Sequence, residues 1–430
     1  MQSFEFFRIF PLLALTLAPC CATAQTTPPA PLTLPAALAT ALETSPWLKV
    51  FAYAPRIAEA KALQAGVKPN PILTVATENL LGTGALSGVE SLETTVQLSQ
   101  VIDLGGSLAR RVVTANAERE VADVDYEARR LEVLAEVARR FVKTAADSAH
   151  LDSTRAAREI AVEIVKVVES RVAAAKASPL ELNRARTALA LLVIGEEHAE
   201  HELAACRQSL AAALGASDPT FGEVRADLLS LPAAPDFASL AARLESSPVL
   251  ARLAAEARWH EAQLALAQSL RRSGMTLSGG LRRVETTDDF GFVASVSMPL
   301  PLRDQTLGAA REARERRAQS DASADAERLE LRATLFAVYQ EMLHARTALE
   351  SLRGTILPDA EHSFALAREG YAAGRHSLLD VLDAQKSLIE LRAAIVANAA
   401  AYHLHVIEIE RLLGAPLTPV ATATPSASAS

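Results

Sequence analysis

Aromatic residues and cysteines are scarce in this chain, and both shortages limit how it can be stabilised. Only 4% of its 430 residues are aromatic, and it contains 3 cysteines. Hydrophobic residues nevertheless reach 50%, with Ala, Leu, Glu and Arg prominent. This composition argues against a thick mixed core and favours long helices that pack closely through small side chains.

Two of the cysteines lie in an N-terminal segment that has the marks of an export signal. An apolar run followed by a small-x-small motif ending at Ala24 predicts that residues 1–24 are a secretory signal. Its removal takes away Cys20 and Cys21 and leaves Cys206 alone, which excludes an intrachain disulfide. Acylation of one of the two N-terminal cysteines, as in a lipoprotein, is the alternative.

The chain also lacks the features of a nucleic-acid-binding protein, an enzyme or a helical membrane protein. Its formal net charge of -8 is modest, so no nucleic-acid partner is indicated. We find no His-Glu-x-x-His, no Gly-x-Ser-x-Gly and no phosphate-binding glycine loop, and therefore predict neither enzyme activity nor a cofactor. Beyond the N-terminal run no stretch is apolar for long enough to cross a bilayer as a helix, so membrane insertion would have to use strands.

An internal repeat of about two hundred residues organises the chain. The segment Leu42–Leu48, LETSPWL, recurs as Leu244–Leu250, LESSPVL. Each copy is followed by the same order of predicted elements: a helix, two short strands, a very long helix, a tight turn and a shorter helix. We therefore divide the chain into a first repeat, residues 25–233, a second repeat, residues 234–414, and a disordered tail, residues 415–430.

Four short runs alternate between apolar and polar or small side chains, as strands do. Runs of about ten residues with one apolar face are typical of outer-membrane strands, whereas a soluble hairpin decorating a coiled coil is the alternative. The predicted strands are residues 72–80 and 93–102 in the first repeat and residues 275–284 and 290–300 in the second.

Each pair of strands leads into a very long predicted helix, Ser107–Ala175 in the first repeat and Gln305–Ala373 in the second. At 1.5 Å per residue each is about 100 Å long, and Pro358 should kink the second. Four strands would leave two unpaired edges in lipid, whereas three chains could close a 12-stranded barrel. The predicted fold is therefore mainly α, with a transmembrane β-barrel contribution and a helical tunnel below it.

The first helical hairpin has its tip at residues 175–178. Ser178 is predicted to be the N-cap of the helix that follows, and Pro179 occupies the favoured first helical position. Glu181 comes three residues after the cap. Arg184 lies one turn further along, where we expect it to neutralise Glu181.

The second hairpin tip, residues 374–377, has the same plan but carries two carboxylates. Gly374 suits a C-terminal cap, and Ser377 suits the N-cap of the following helix. Asp380 and Asp383 then lie three apart on one face, near the positive end of the helix dipole. Helix capping alone explains acidic residues at this position, so the pattern by itself does not assign them a function.

Three features together resemble a known family across essentially the whole mature chain. They are the duplicated strand–long helix–turn–helix plan, the second tip from Tyr371 to Ala384, and the segment Pro299–Leu302 that enters the second long helix. The chain in these respects resembles the TolC-type outer-membrane efflux proteins. The motifs between Pro69 and Gly106 are similar to the heavy-metal cation branch, which handles cobalt, zinc and cadmium.

The resemblance implies a homotrimeric duct through the outer membrane and the periplasm that exports heavy-metal cations. It would act with a periplasmic adaptor protein and a proton-driven inner-membrane pump of the resistance-nodulation-division type. In that family the acidic pair matching Asp380 and Asp383 faces the closed periplasmic entrance, where three chains would place six carboxylates that attract cations. The candidate contacts with pump and adaptor are the tip residues Ala175, Ser178, Glu181, Gly374 and Ser377.

Ala175 departs from the family, in which a glycine is common at the first tip, so its turn geometry stays open at the sequence level. Two alternative functions also stay open. A channel for drug efflux or type I secretion is the alternative within the family, and a periplasmic coiled-coil adaptor is the alternative from another class. Two complete repeats and four amphipathic strands argue against the adaptor.

One further cluster of side chains has the types that bind metals. His198 and His201 lie three apart on one predicted helical face, within a run of glutamates. A solvated acidic helix face is the preferred interpretation, because runs of charge are common on exposed helices. No metal site is therefore predicted, and these two histidines are the candidates if one exists.

Overall fold

A computed structural model gives the structure of residues 31–272, 274–300 and 303–417. Three predicted features fall wholly or partly outside these ranges: the signal sequence at residues 1–24 with Cys20 and Cys21, the Pro301 and Leu302 end of a family motif, and the tail beyond Leu417.

The first repeat consists of three short helices, a β-hairpin and two long helices. In chain order they are α1 Leu34–Thr44, α2 Pro46–Phe51, α3 Tyr53–Ala65, β1 Ile72–Glu78, β2 Glu93–Ile102, α4 Ser107–Ala173 and α5 Pro179–Ala213. Helix α4 has 67 residues. At 1.5 Å per residue it is about 100 Å long, as expected from the sequence.

The second repeat follows the same order, except that two short helices rather than three precede its hairpin and its long helix is divided. Its elements are α6 Phe237–Arg243, α7 Pro248–Ser269, β3 Met275–Val284, β4 Asp289–Ser297, α8 Leu307–Ser351, α9 Leu357–Ala372 and α10 Leu378–Leu413. A π-helical segment, Leu352–Ile356, joins α8 to α9 immediately before Pro358. Proline removes one hydrogen bond of the helix, so the interruption lies where the sequence predicts a kink.

The helices pack closely because small side chains fill their contacts. Ala37, Ala41 and Ala399 are completely buried. Gln385 on α10 is also buried, and its side-chain amide donates to the carbonyl oxygen of Ala157 on α4 at 3.3 Å, which links the two repeats. Within the described ranges, no helix combines the length and the apolar character that a membrane crossing requires.

The four strands form one antiparallel sheet in the order β1-β2-β3-β4, and the β2–β3 pair joins the repeats. The bounds of two strands differ from the sequence prediction. Strand β1 ends at Glu78 rather than at residue 80, because Asn79 and Leu81 have positive φ angles of 57° and 55°. Strand β4 spans 289–297 rather than 290–300, since Pro299 has no N–H to donate to a ladder.

The apolar face of this sheet is the exposed one. Its large side chains are between 44% and 94% exposed: Leu73, Val75, Val96, Leu98, Leu277, Leu281, Phe290, Phe292 and Val296. On the opposite face, Thr95 and Ser278 are buried, and the Ser99 hydroxyl donates to the Ser278 hydroxyl at 2.9 Å. Each large apolar side chain left in water forgoes about 1.5–3 kcal/mol of burial free energy, so the apolar face requires a non-aqueous neighbour.

Candidate functional site at the hairpin tips

Both hairpin tips turn through a residue in the left-handed conformation. Ala175 has a φ of 55° and Gly374 a φ of 77°. In each tip the N–H of the next residue donates to the carbonyl five positions earlier, at 2.8 Å and 2.7 Å. This is a Schellman ending for α4 and α9, and it confirms Gly374 as the C-terminal cap. The first tip adopts the same turn without a glycine, at a backbone cost of about 1–2 kcal/mol.

The helix that leaves each tip begins with a capping box, as the two N-cap predictions require. In the first tip, Glu181 N–H donates to Ser178 Oγ at 3.3 Å, and Ser178 N–H donates to Glu181 Oε1 at 3.3 Å. In the second tip, Asp380 N–H donates to Ser377 Oγ at 3.3 Å, and Ser377 N–H donates to Asp380 Oδ2 at 2.9 Å. The capping prediction is confirmed for both serines, and Glu181 takes the structural place of Asp380.

The two aspartates of the second tip are both exposed but have different surroundings. Hydrogen bonds from the Ser377 backbone N–H and hydroxyl hold the pKa of Asp380 below its ordinary value, with His376 nearby contributing in the same direction. Asp383 makes no hydrogen bond or ion pair with the residues that the structure describes. Asp380 is therefore engaged in its cap, whereas Asp383 presents an uncompensated carboxylate one turn further along α10.

A side-chain network connects the two tips within one chain. Arg171, in the last turn of α4, donates through Nη1 to the carbonyl oxygens of Tyr371 and Ala372 at 2.7 Å and 2.9 Å. Its guanidinium carbon lies 4.6 Å from the centroid of the Tyr371 ring. The Tyr371 hydroxyl in turn donates to Glu181 Oε2 at 3.0 Å. Arg171 thus satisfies the carbonyl end of α9 while Tyr371 holds the start of α5.

The pKa of the Tyr371 phenol reflects this position. Burial, and then the hydrogen bond to Glu181, raise it from an ordinary value of 10.0 to about 12. The hydroxyl therefore remains protonated, and able to donate to Glu181, throughout the neutral range. Sequence reasoning identified Glu181 but not its partners; the signal available was a basic residue and a tyrosine in the last turns of two matching helices.

The expectation that Arg184 neutralises Glu181 is wrong. Arg184 makes no ion pair in the described part of the chain and is exposed. Both carboxylate oxygens of Glu181 are instead used, Oε1 by the cap and Oε2 by the Tyr371 hydroxyl. Helix geometry places Glu181 and Arg184 on one face, but Glu181 binds Tyr371 instead of Arg184.

The two histidine candidates for a metal site are both exposed on α5. His198 Nε2 lies 3.5 Å from Glu202 Oε1. Among the described residues, no three side chains of His, Cys, Asp or Glu are placed so that they could hold a metal ion together.

Comparison with known proteins gives one consistent group of matches. The family model described as "Outer membrane efflux protein" matches residues 37–216 and 229–415. The cobalt-zinc-cadmium resistance protein CzcC of Cupriavidus metallidurans is 30% identical over 387 residues, covering 89% of this chain and 90% of that protein. The nickel-cobalt-cadmium resistance protein NccC of Alcaligenes xylosoxydans xylosoxydans is 24% identical, covering 68% of this chain and 66% of that protein.

Two solved structures with the same fold are those of CusC, whose structures concern transmembrane channel formation, and of VceC, an outer membrane protein. The CusC structure superposes with a TM-score of 0.73 at 17% identity, covering 92% of this chain and 96% of that one. VceC of Vibrio cholerae superposes with a TM-score of 0.72 at 18% identity, covering 90% and 97%. The predicted fold, mainly helical with four antiparallel strands, is confirmed.

The raised pKa of Tyr371 generates a test of the connection between the tips. A group whose folded-state pKa is raised stabilises the native state below its unfolded pKa and loses that contribution as the pH rises through the folded value. We therefore expect the Tyr371–Glu181 contribution to be complete below about pH 10 and to disappear near pH 12. Ultraviolet absorbance titration of the wild type minus Tyr371→Phe should isolate this late-titrating phenol. Ionisation of Tyr371 near pH 10 would contradict the contact with Glu181.

Proposed function

The chain belongs to the outer membrane efflux protein family, and from that premise we propose that three copies form a gated duct for metal cations. Membership rests on the family model, which matches nearly the whole described chain in two segments. The protein is accordingly an outer-membrane component of an efflux system. Its family is one of channels rather than enzymes.

The exposed apolar face of the sheet is the observation that best supports a trimeric barrel. Phe292 is 94% exposed in the single chain, and its register partner Leu281 lies on the same exposed face. Lipid would cover that face, while the unpaired edges of β1 and β4 would pair with neighbouring copies. Three sheets of four strands would then make a 12-stranded barrel whose polar face lines the lumen.

The two repeats provide the helical wall of the same duct. We propose the division into residues 25–233 and 234–414, each contributing one hairpin to a tunnel in the periplasm. The five tip residues Ala175, Ser178, Glu181, Gly374 and Ser377 would face a periplasmic adaptor and an inner-membrane pump of the resistance-nodulation-division type. The predicted signal at residues 1–24 would direct export of the chain.

The proposed gate is formed by Asp380 and Asp383 at the periplasmic end. Three chains would bring six carboxylates around one opening, which attracts cations and repels anions. Their mutual repulsion would oppose the lowered pKa of Asp380 and work against closure. The Tyr371–Glu181 contact supports the same proposal, because it holds the two hairpins of each chain together at that end.

Metal cations are the proposed substrates because of the relatives. The names of CzcC and NccC each refer to resistance to cobalt, cadmium and one further metal. Drug efflux or type I secretion remains the second candidate within the family, since the solved structures share the fold at low identity.

The proposed barrel predicts the state of assembly. Unpaired strand edges are costly in lipid, and an apolar sheet face is costly in water. We therefore expect the purified protein to be a trimer in detergent. Light scattering with refractive-index detection separates protein mass from micelle mass and should give three chains per particle. A stable monomer would contradict the barrel.

Orientation of the sheet can be checked in the same preparation. Nitroxide labels on Phe292→Cys and on Gln97→Cys, both in a Cys206→Ser background, report the two faces. The label at residue 292 should be reached by oxygen dissolved in lipid, and the label at residue 97 by a water-soluble nickel chelate. Equal access at the two sites would argue against a lipid-facing apolar surface.

The proposed gate predicts separate effects of charge and of capping. Asp383→Asn removes a carboxylate that caps nothing, whereas Asp380→Asn changes both charge and cap. In planar bilayers both variants, and more strongly the double variant, should lose cation selectivity and block by multivalent cations applied from the periplasmic side. Glu390→Gln, on the same helix and beyond the tip, should behave as wild type. Unchanged selectivity in a folded double variant would leave the aspartates as helix caps only.

The proposed cargo predicts which tolerances of the host depend on the gene. Deleting the gene should lower the host's tolerance of cobalt, zinc and cadmium, and the wild-type gene should restore it. Tolerance of dyes and antibiotics serves as the comparison. Unchanged metal tolerance with lost drug tolerance would favour the second candidate function.

A further inference from the structure

Arg282 carries a charge on the polar face of the sheet, close to its loop end. Its Nη1 donates to Glu93 Oε2 at 2.7 Å, and its Nε donates to Thr95 Oγ1 at 3.0 Å. Its Nη2 lies 3.3 Å from Glu78 Oε2. The guanidinium on β3 therefore reaches across β2 to β1, and its donors have partners on both strands.

The two glutamates that it contacts are direct neighbours across the β1–β2 ladder. Glu78 pairs with Glu93 in the strand register. Residues directly opposite each other have Cβ atoms about 4.5–5.5 Å apart, and like charges in that position repel. Two carboxylates so placed offer oxygen ligands to a divalent cation. Arg282 occupies that position instead and leaves one net negative charge per chain from the three groups.

This cluster lies at the end of the sheet remote from the helices. The loops at residues 79–92 and 285–288 connect the strands there, whereas the helices leave from the opposite end. In the duct proposed above, on which this inference rests, that end is the outer mouth. The polar face lines the lumen, so three copies of the cluster would surround the path of an outgoing ion.

We propose that Arg282 determines cation specificity at the outer mouth, by occupying the space between Glu78 and Glu93 so that the pair does not retain outgoing divalent cations. The exit of a cation duct must attract cations without binding them tightly. Negative charge lowers the barrier for a cation to reach the mouth, but two uncompensated carboxylates would bind a divalent cation and block the pore. The Arg282 guanidinium leaves one net negative charge in the cluster and occupies carboxylate oxygens of Glu78 and Glu93, so that the pair does not chelate a cation.

The neighbouring residue is a matched control within the same strand. Arg283 has the same charge but points to the apolar face, where it pairs with Glu285 at 3.1 Å and Asp288 at 2.9 Å. Its guanidinium carbon lies 5.8 Å from the centroid of the Phe290 ring. A basic residue near the membrane interface costs little free energy, so Arg283 is tolerated on the lipid-facing side. Because both arginines carry one positive charge, removing either changes the net charge of this end of the sheet equally.

The experiment measures block of single channels by Cd²⁺ or Co²⁺ added from the loop side. The full-length trimer is used, with Asp380→Asn and Asp383→Asn present in every variant so that the periplasmic entrance does not dominate. Low salt is needed, because the screening length is about 30 Å at 0.01 M ionic strength and about 3 Å at 1 M. The variants are Arg282→Gln, Arg282→Lys, Arg283→Gln and Glu93→Gln.

We expect Arg282→Gln to lower the half-blocking metal concentration on the order of tenfold, because one positive charge beside a divalent ion is lost. Arg282→Lys should keep the half-blocking concentration close to that of the wild type, because the positive charge is retained. Arg283→Gln should not change block at all. Adding Glu93→Gln to Arg282→Gln should abolish the new block. At 1 M salt the difference in ion selectivity between Arg282→Gln and wild type should disappear.

Equal block in Arg282→Gln and Arg283→Gln would overturn the proposal, since net charge rather than the lumen-facing cluster would then matter. If Arg282→Gln does not assemble, Glu93→Gln alone decides. It keeps Arg282 and should reduce cation over anion selectivity measured from the loop side, and unchanged selectivity would again overturn the proposal. A wild-type protein that forms no channel would instead refute the duct itself, so the two failures are distinguishable.

Discussion

An antiparallel sheet that exposes its apolar face and leaves both edges unpaired is the constraint on which the rest of this structure depends. Phe292 is 94% exposed in the single chain, whereas Thr95 on the opposite face is buried. Water cannot be the stable neighbour of the apolar face, and lipid cannot be the neighbour of an open strand edge. In the proposed duct, lipid outside, further copies at the edges and a polar lumen would satisfy all three surfaces at once.

The proposed duct treats positive ions differently at its two ends, and the reason lies in how the carboxylates are engaged. At the tips, Glu181 is held by its cap and by Tyr371, and Asp380 by its cap, so Asp383 has the least compensated charge. At the opposite end, Arg282 partly neutralises Glu93 and Glu78. An entrance that attracts cations and an exit that does not retain them would let cations enter the duct readily and leave it without block.

Much of the fold was predictable because its signals are local. The capping boxes at Ser178 and Ser377 depend on residues three apart, and the interruption of the long helix before Pro358 depends on one missing N–H. Strand β2 and strand β3 have the predicted bounds, since side-chain alternation depends only on neighbouring residues. The errors at the ends of β1 and β4 come from backbone conformation and proline, which alternation does not report.

The sequence by itself therefore determined the elements, their duplication, their caps and the family. Only the tertiary structure decided which charges meet. Tyr371 and Glu181 are 190 residues apart, and Arg282 and Glu93 are 189 apart. Arg184 has the spacing to pair with Glu181 on one helix. The Tyr371 hydroxyl from the other repeat nevertheless donates to Glu181 Oε2. Helix periodicity fixes which residues share a face, but strand register and the approach of two hairpins fix the partner that each charge finds.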